Sequence, residues 1–373
     1  MNILYSCLSE SWGGMEMITL TFVKELLKRN LSVLLLCIED SRIHKEAIKT
    51  NIKTHPIKIS PIYYIYNLIQ ISKLIKNEKI DLIHTQASKD LWLLVPALKI
   101  IGSNIPLVFT KQVGSFIIKK DFLHNFLYNR VNKAFAISSV IKKNLLQTTS
   151  LTEDKIEIVY NGVDTKKFIP NNPNRDKIRK EFNIKDEDIL IGIIARFSPG
   201  KGHEEFLQAA KILFDKFSNL KFMIVGEATR GEDEYANQIK NMSKNLELNN
   251  IIFTGFREDT NDILAAMDIF VFPSHAEAFG IALVEALSCG IPSVCANADG
   301  VLDIAVDNET SLLFEKQNYF DLSEKIQTLI CNDNLRNMLS KASEQRAKKM
   351  FDLNIVMEKT INIYNELIAK RKD

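Results

Sequence analysis

Residues 269–290 read IFVFPSHAEAFGIALVEALSCG, and this stretch decides the fold. Ile269–Phe272 is an apolar run too short for a helix and rich in strand-forming residues, so it reads as a buried strand. Pro273 and Ser274 end it, apolar residues recur at helical spacing from Ile281, and Gly290 closes the helix. Strand, turn and helix in that order form half of a βαβ unit, the building block of a parallel sheet. Gly280 sits at the turn, where the amides of Gly280 and Ile281 open a helix and face outward. Such a helix start is a ready diphosphate site. Glu277 and Glu285 flank it, and two carboxylates beside an anion site do not serve stability. They read as groups that bind hydroxyls.

Working outward, the same alternation fills the chain. In the second half the strands read Ile189–Ala195, Lys221–Val225, Ile251–Thr254, Ile269–Phe272 and Ser293–Ala296. Helical-period segments lie at Glu204–Phe217, Tyr235–Leu246, Thr260–Ala266 and Ile281–Leu287, with two more helices at the C-terminus. In the first half the strands read Asn2–Cys7, Ser32–Ile38, Ile80–His84, Leu107–Thr110, Ala134–Ile137 and Ile156–Tyr160, with a helix at Gly14–Arg29. Residues 170–188 are polar and charged, and Pro170, Asn171, Asn172 and Pro173 punctuate them as a linker. A chain of 373 residues is too long for one core. The fold class expected is α/β, with two Rossmann-like, doubly wound parallel-sheet domains over residues 1–170 and 171–353. Ligands of open α/β sheets bind beyond the carboxyl ends of the strands, so a cleft between two such sheets is the expected site.

Gly192-Ile-Ile-Ala-Arg196-Phe-Ser-Pro-Gly-Lys201-Gly202 carries the second chemical signal. Arg196 leaves a strand end and Lys201 precedes a helix. Two cations at the mouth of a parallel sheet suit a diphosphate leaving group. The glycine and lysine spacing is not that of a P-loop: Lys201 is followed by Gly202 and then His203, where a P-loop has serine or threonine directly after its lysine.

Other signals exclude classes. There is no G-x-S-x-G and no G-x-G-x-x-G, which removes the usual hydrolase and dinucleotide-binding readings. Asp186-Glu-Asp188 has a D-x-D form but lies in the charged linker and reads as surface charge. His84 and His203 lack partners at ligand spacing, so they read as satisfied or solvated side chains and no metal site is expected. Five cysteines without a C-x-x-C pair argue against a disulfide framework and for a reducing compartment. The N-terminus reads as a first strand rather than a signal peptide, and no window reaches the roughly 20 apolar residues of a membrane span. Charge is uneven: residues 1–170 hold 23 Lys and Arg against 14 Asp and Glu, and the remainder 25 against 32. The basic half is expected to meet something anionic.

Taken in order, these motifs resemble the family-4 glycosyltransferases of GT-B fold, over nearly the whole chain. The resemblance includes Gly13-Gly14-Met-Glu, Asp81–His84, Ala136-Ile-Ser138 and Val159-Tyr-Asn161-Gly162-Val-Asp164. It continues through Arg196, Lys201-Gly202, Gly255-Phe256 and the pair Glu277 and Glu285. It implies that Gly14 lets the donor phosphate approach and that Arg196 and Lys201 neutralise the diphosphate. Glu277 would contact the donor sugar, helped by backbone amides at Phe279, Gly280 and Ile281. Glu285 would hold the ribose hydroxyls, and Phe256-Arg257 would cradle the base. A terminal helix, residues 354–373, is expected to complete the first domain.

Two departures stand out. Relatives often carry T-x-H after the strand corresponding to Leu107–Thr110, whereas this chain reads Thr110-Lys111-Gln112. Gln112 donates a hydrogen bond but carries no proton. Lys111 and Gln112 are therefore the acceptor-side candidates. The Gly-Gly-x-x-Glu stretch usual near the donor sugar is Asp299-Gly300-Val-Leu-Asp303 here, which leaves the donor sugar open.

The resemblance implies a retaining, metal-independent hexosyltransferase without a bound cofactor. It would move a sugar from a nucleotide-diphosphate donor, a UDP-sugar before a GDP- or ADP-sugar, to a hydroxyl of a glycan or glycolipid. Lipopolysaccharide or another cell-surface polysaccharide is the expected context. An anionic membrane surface is the further expected partner and nucleic acid is not, with the protein expected to be cytoplasmic, either free or peripheral on the cytoplasmic face of the inner membrane. The rival readings are a GT-B nucleotide-sugar epimerase and a non-catalytic sugar-nucleotide-binding protein.

Overall fold

A computed structural model describes residues 1–229 and 231–372. The chain divides into two compact units, residues 1–161 with 356–373, and residues 162–355. The sequence reading put the break at 170, among the prolines. It falls instead at Asn161-Gly162, and residues 170–188 belong wholly to the second unit. They are not a linker. A helix, Arg175–Glu181, lies within them, with Arg179 buried and both Arg175 and Arg179 paired with Asp268, at 2.6 and 3.2 Å. Asp188 is buried too and not surface charge: its Oδ2 accepts from the Lys185 amide at 2.8 Å and caps the turn into the next strand.

The first unit is a seven-stranded parallel sheet: β1 Asn2–Cys7, β2 Ser32–Ile38, β3 Thr54–Ile57, β4 Leu82–Thr85, β5 Leu107–Lys111, β6 Lys133–Ala136 and β7 Ile156–Ile158. Their order is β3-β2-β1-β4-β5-β6-β7. The β1 register, Ile3 opposite Val33 on one side and Leu82 on the other, places apolar side chains on both faces, as a doubly covered sheet demands. The final helix, Leu353–Lys372, joins this unit from Val356 onward. Its Tyr364 is buried, hydrogen-bonded to His84 Nδ1, while His84 Nε2 meets Thr110 Oγ1 at 2.6 Å. His84 is thus a satisfied core histidine, and burial lowers its pKa to about 3. Asp373, the last residue of the helix expected from sequence, lies outside the described residues.

The second unit is a six-stranded parallel sheet: β8 Ile189–Ile194, β9 Leu220–Val225, β10 Ile251–Gly255, β11 Ile269–Phe272, β12 Ser293–Ala296 and β13 Ser311–Phe314. The order β10-β9-β8-β11-β12-β13 is that of a Rossmann sheet, with its direction of winding reversing between β8 and β11. One core cluster runs from Ile191 and Ile193 through Phe206, Phe222 and Val271 to Phe314. β3 and β13 were missed in sequence. Both have four residues and lie at sheet edges, and β3 carries Pro56, which an edge strand accommodates because no inner neighbour needs its amide.

Candidate active site

In the second unit, β8 and β11 are neighbours whose carboxyl ends open the loops 195–202 and 273–280 at the reversal point of the sheet. This is where an open α/β sheet leaves a crevice. The loops are joined twice, and His275 also ties the second loop to the helix that follows the first, His203–Phe214. The His275 amide donates to the Gly200 carbonyl at 2.8 Å, and His275 Nε2 lies 2.8 Å from Glu205 Oε1. Lys201 Nζ meets Glu277 Oε1 at 2.5 Å. Gly202 makes the first loop possible. Its φ is +78°, and a Cβ there would lie 2.4 Å from the Pro273 carbonyl oxygen.

The second loop ends at Gly280, φ +115°, which caps the helix Ile281–Ser288. First-turn amides of a helix have no partner within it, so this end carries partial positive charge beside Lys201 and Glu277. The Phe279 side chain is buried against Phe351, so what this residue presents to a ligand is backbone. The Gly300 amide donates to the Glu277 carbonyl at 3.0 Å and fixes the loop from its other side. Glu285 lies in the helix, partly buried, and burial raises its carboxyl to about 7 against a weaker opposing pull from Lys167.

Arg196 is half exposed and its Nε lies 3.4 Å from Glu232 Oε2. Each cation of the site therefore has a carboxylate partner. At the end of β10, Phe256 is exposed, while the Arg257 guanidinium is held by Glu181 at 2.5 Å and Asp259 at 2.7 Å. His203 is not a site residue: it is fully buried, stacked on Phe197, and burial lowers its pKa to about 4.

Thus the structure gathers Arg196, Lys201, Glu277, Phe279, Gly280, Ile281 and Glu285 around one reversal point, with Phe256 and Arg257 farther along the same edge. Gly14, Lys111 and Gln112 belong to the first unit. A Cβ on Gly14 would meet nothing within 4 Å, and Glu16 caps its helix by accepting from the Gly13 amide at 2.9 Å. Gln112 is buried at the end of β5. Its Nε2 donates to Gln86 Oε1 at 2.8 Å, and its Oε1 accepts from Asn161 at 3.1 Å. Its amide is committed to holding the ends of three strands together. Sequence reasoning passed over His275 and Glu232. His275 opens the same motif as Glu277, but nothing in the sequence pairs it with Glu205.

Comparison with known proteins bears on the family and the fold. Residues 12–167 match Glycosyltransferase Family 4, and residues 174–346 match Glycosyl transferases group 1. The fold is that of the GT-B glycosyltransferases, and the crystal structure of Anabaena HepE in complex with UDP shares it. It has a TM-score of 0.87 at 21% identity, over 98% of this chain and 100% of that one. The two matched regions cover most of the chain, which belongs to the family-4 glycosyltransferases.

Three curated relatives are similar in sequence. One is the capsular polysaccharide biosynthesis glycosyltransferase CapM of Staphylococcus aureus, 28% identical over 63% of this chain and 62% of that protein, so the match spans less than two thirds of the relative. The second is the N,N'-diacetylbacillosaminyl-diphospho-undecaprenol alpha-1,3-N-acetylgalactosaminyltransferase of Campylobacter jejuni, 28% identical over 83% of each chain. The third is the UDP-Gal:alpha-D-GlcNAc-diphosphoundecaprenol alpha-1,3-galactosyltransferase of Escherichia coli, 26% identical over 84% of this chain and 82% of that one.

Proposed function

We propose that this glycosyltransferase moves a sugar from a UDP-sugar to a hydroxyl of a membrane-linked glycan, with retention of configuration and without a metal. The observation that carries the reading is the Lys201–Glu277 pair, 2.5 Å apart, which joins the loop that carries Arg196 to the loop that ends at the helix start Gly280. An arriving diphosphate competes for Lys201 and Arg196, which frees Glu277 to accept hydrogen bonds from the donor sugar. As the glycosidic bond breaks, charge builds on the β-phosphate. Lys201, Arg196 and the helix amides stabilise it most in the transition state, which is what accelerates the step. The acceptor hydroxyl attacks from the face the diphosphate leaves and passes its proton to that phosphate, so no protein nucleophile is needed.

The names of the relatives support a UDP-sugar donor and a lipid-diphosphate-linked acceptor. Among the described residues no helix is long and apolar enough to cross a membrane, and we place the protein at the cytoplasmic face of the inner membrane by peripheral attachment. Mass spectrometry of products from a panel of nucleotide sugars and a lipid extract tests the reading. A hexose-sized mass increase on a lipid is expected. Free nucleotide with an epimerised sugar and no lipid product would favour the epimerase instead.

Among the described residues no three His, Cys, Asp or Glu side chains group as a metal site would. Transfer is therefore expected to continue in excess EDTA. A strict need for added Mg²⁺ or Mn²⁺ would contradict the metal-free route.

Glu285 gives a pH-dependent expectation. Its folded pKa, about 7, lies above the ordinary value of 4.5, so between these pH values the folded protein holds the extra proton. Stability then falls as pH rises through this window. Glu285→Gln should raise the melting temperature above wild type at pH 8, with no gain at pH 4. If Glu285 holds ribose hydroxyls, the same variant should bind UDP about tenfold more weakly, the loss of one charged hydrogen bond. A variant no more stable than wild type at pH 8 and with unchanged UDP affinity would remove Glu285 from the site.

A further inference from the structure

Lys111 ends β5 in the first unit and is only 8% exposed, yet among the described residues its ammonium has no hydrogen-bond or ion-pair partner. Strand alternation puts it on the face of Phe109, which packs on Tyr128, and away from Gln112. Lys119 lies near enough for the two charges to act on each other, and burial together with Lys119 lowers Lys111 to about 8. Lys119 Nζ is 3.5 Å from Ser88 Oγ. Two lysines and a hydroxyl thus converge at the carboxyl ends of the inner strands β4 and β5. A buried cation without a counter-charge is costly unless an anion joins it.

The chain between these lysines is unusual. Phe116, Ile117 and Ile118 are exposed in succession, Phe116 completely, and Phe122 follows. The segment is clamped at both ends. Ser115 exchanges two hydrogen bonds of 2.9 Å with Asn144, and the Lys119 amide donates to the Thr148 carbonyl at 2.6 Å. Across the first unit the exposed aromatics continue: the Tyr64 hydroxyl donates to the Trp92 carbonyl at 2.9 Å, and the Trp92 ring meets His124 edge-on. Apolar side chains held in water beside unpaired cations match a ligand with an apolar chain and an anionic head.

Building on the glycolipid acceptor proposed above, we infer that Lys111 and Lys119 grip the diphosphate of a lipid-diphosphate-linked acceptor, with the Phe116–Ile118 ridge and Phe122 seated in its lipid. The ridge enters the bilayer boundary and the lysines meet the first charged group below it. The acceptor's diphosphate, rather than its sugar alone, then becomes the handle by which the enzyme selects it.

The test is calorimetric titration of the full chain with farnesyl diphosphate, saturating UDP being present to fill the donor site. Farnesyl diphosphate should bind more tightly than inorganic pyrophosphate or farnesol. Lys111→Met and Lys119→Met should each weaken it about 10- to 100-fold, the loss of a charge-assisted contact. Lys120→Met, at an exposed neighbour, should change it less than twofold, and Phe116→Ser should erase the advantage over pyrophosphate. Lys111→Met should also raise the melting temperature, because an uncompensated buried charge is gone, so weaker binding would not reflect unfolding. No binding of farnesyl diphosphate to wild type, or equal binding to the Lys111 and Lys119 variants, would overturn the inference. Failure of UDP to bind would instead strike the donor assignment, and a titration without UDP reads the lipid arm separately.

Discussion

Lys201→Ala and Arg196→Ala are each expected to lower turnover by about 10²–10³, the usual consequence of losing one contact to charge that develops in a transition state. For Lys201 the effect should fall on kcat more than on KM. In the resting protein this lysine is held by Glu277 at 2.5 Å, and in the mechanism proposed above it stabilises the charge on the β-phosphate most as the bond breaks. Removing it also leaves Glu277 beside an anion it repels. Lys201→Ala/Glu277→Gln should therefore lose less than the two single effects combined, the mark of residues that act together. Arg196 is half exposed and paired at 3.4 Å, so its loss should raise KM as well. Stopped-time product assays at saturating and limiting donor separate these outcomes. Wild-type turnover in both single variants would end the diphosphate assignment.

The second large effect is expected from a residue with no side chain. Gly202→Ala places a methyl group 2.4 Å from the Pro273 carbonyl oxygen, at a φ of +78° that disfavours alanine. Both defects should cost about 2–4 kcal/mol of stability. In a unit of this size that lowers the melting temperature by about 5–10 °C. The backbone can relieve the clash only by parting the loops that His275 ties together, which carries Lys201 away from Glu277. An ångström of displacement is enough to cost about 10²-fold in rate. Thermal melts and initial rates on the same preparation check both parts. An alanine variant that is as stable and as active as wild type would mean that the loops are not rigidly coupled.

Much of this was legible in the sequence. The strand–turn–helix of 269–290 holds with its strand bounds unchanged and its helix one residue longer, to Ser288, because its apolar run, its glycine and its helical spacing are all local signals. Lys201 and Glu277 are 76 residues apart, yet each could be placed in a turn between a strand and a helix, and the two strands prove to be neighbours. What failed was non-local. The helix Arg175–Glu181 was lost among charged residues because its anchor, Asp268, comes some ninety positions later. Asp188 passed for surface charge because only the folded turn buries it. The His275–Glu205 tie and the Arg196–Glu232 pair depend on loop geometry that no spacing encodes. Lys111 was singled out by sequence as an acceptor-side residue, but its burial and lack of a partner belong to the fold alone.

The most direct test of the central claim is calorimetric titration of wild type and Lys201→Ala with UDP and with UMP, in EDTA. UDP and UMP differ by the β-phosphate, the group assigned to Lys201, Arg196 and the helix start at Gly280. The expected result is that wild type binds UDP at least about tenfold more tightly than UMP, as one charge-assisted contact allows, and that Lys201→Ala removes most of the difference while leaving UMP affinity unchanged. Equal affinity of wild type for the two nucleotides, or a preference for UDP that survives the substitution, would contradict it.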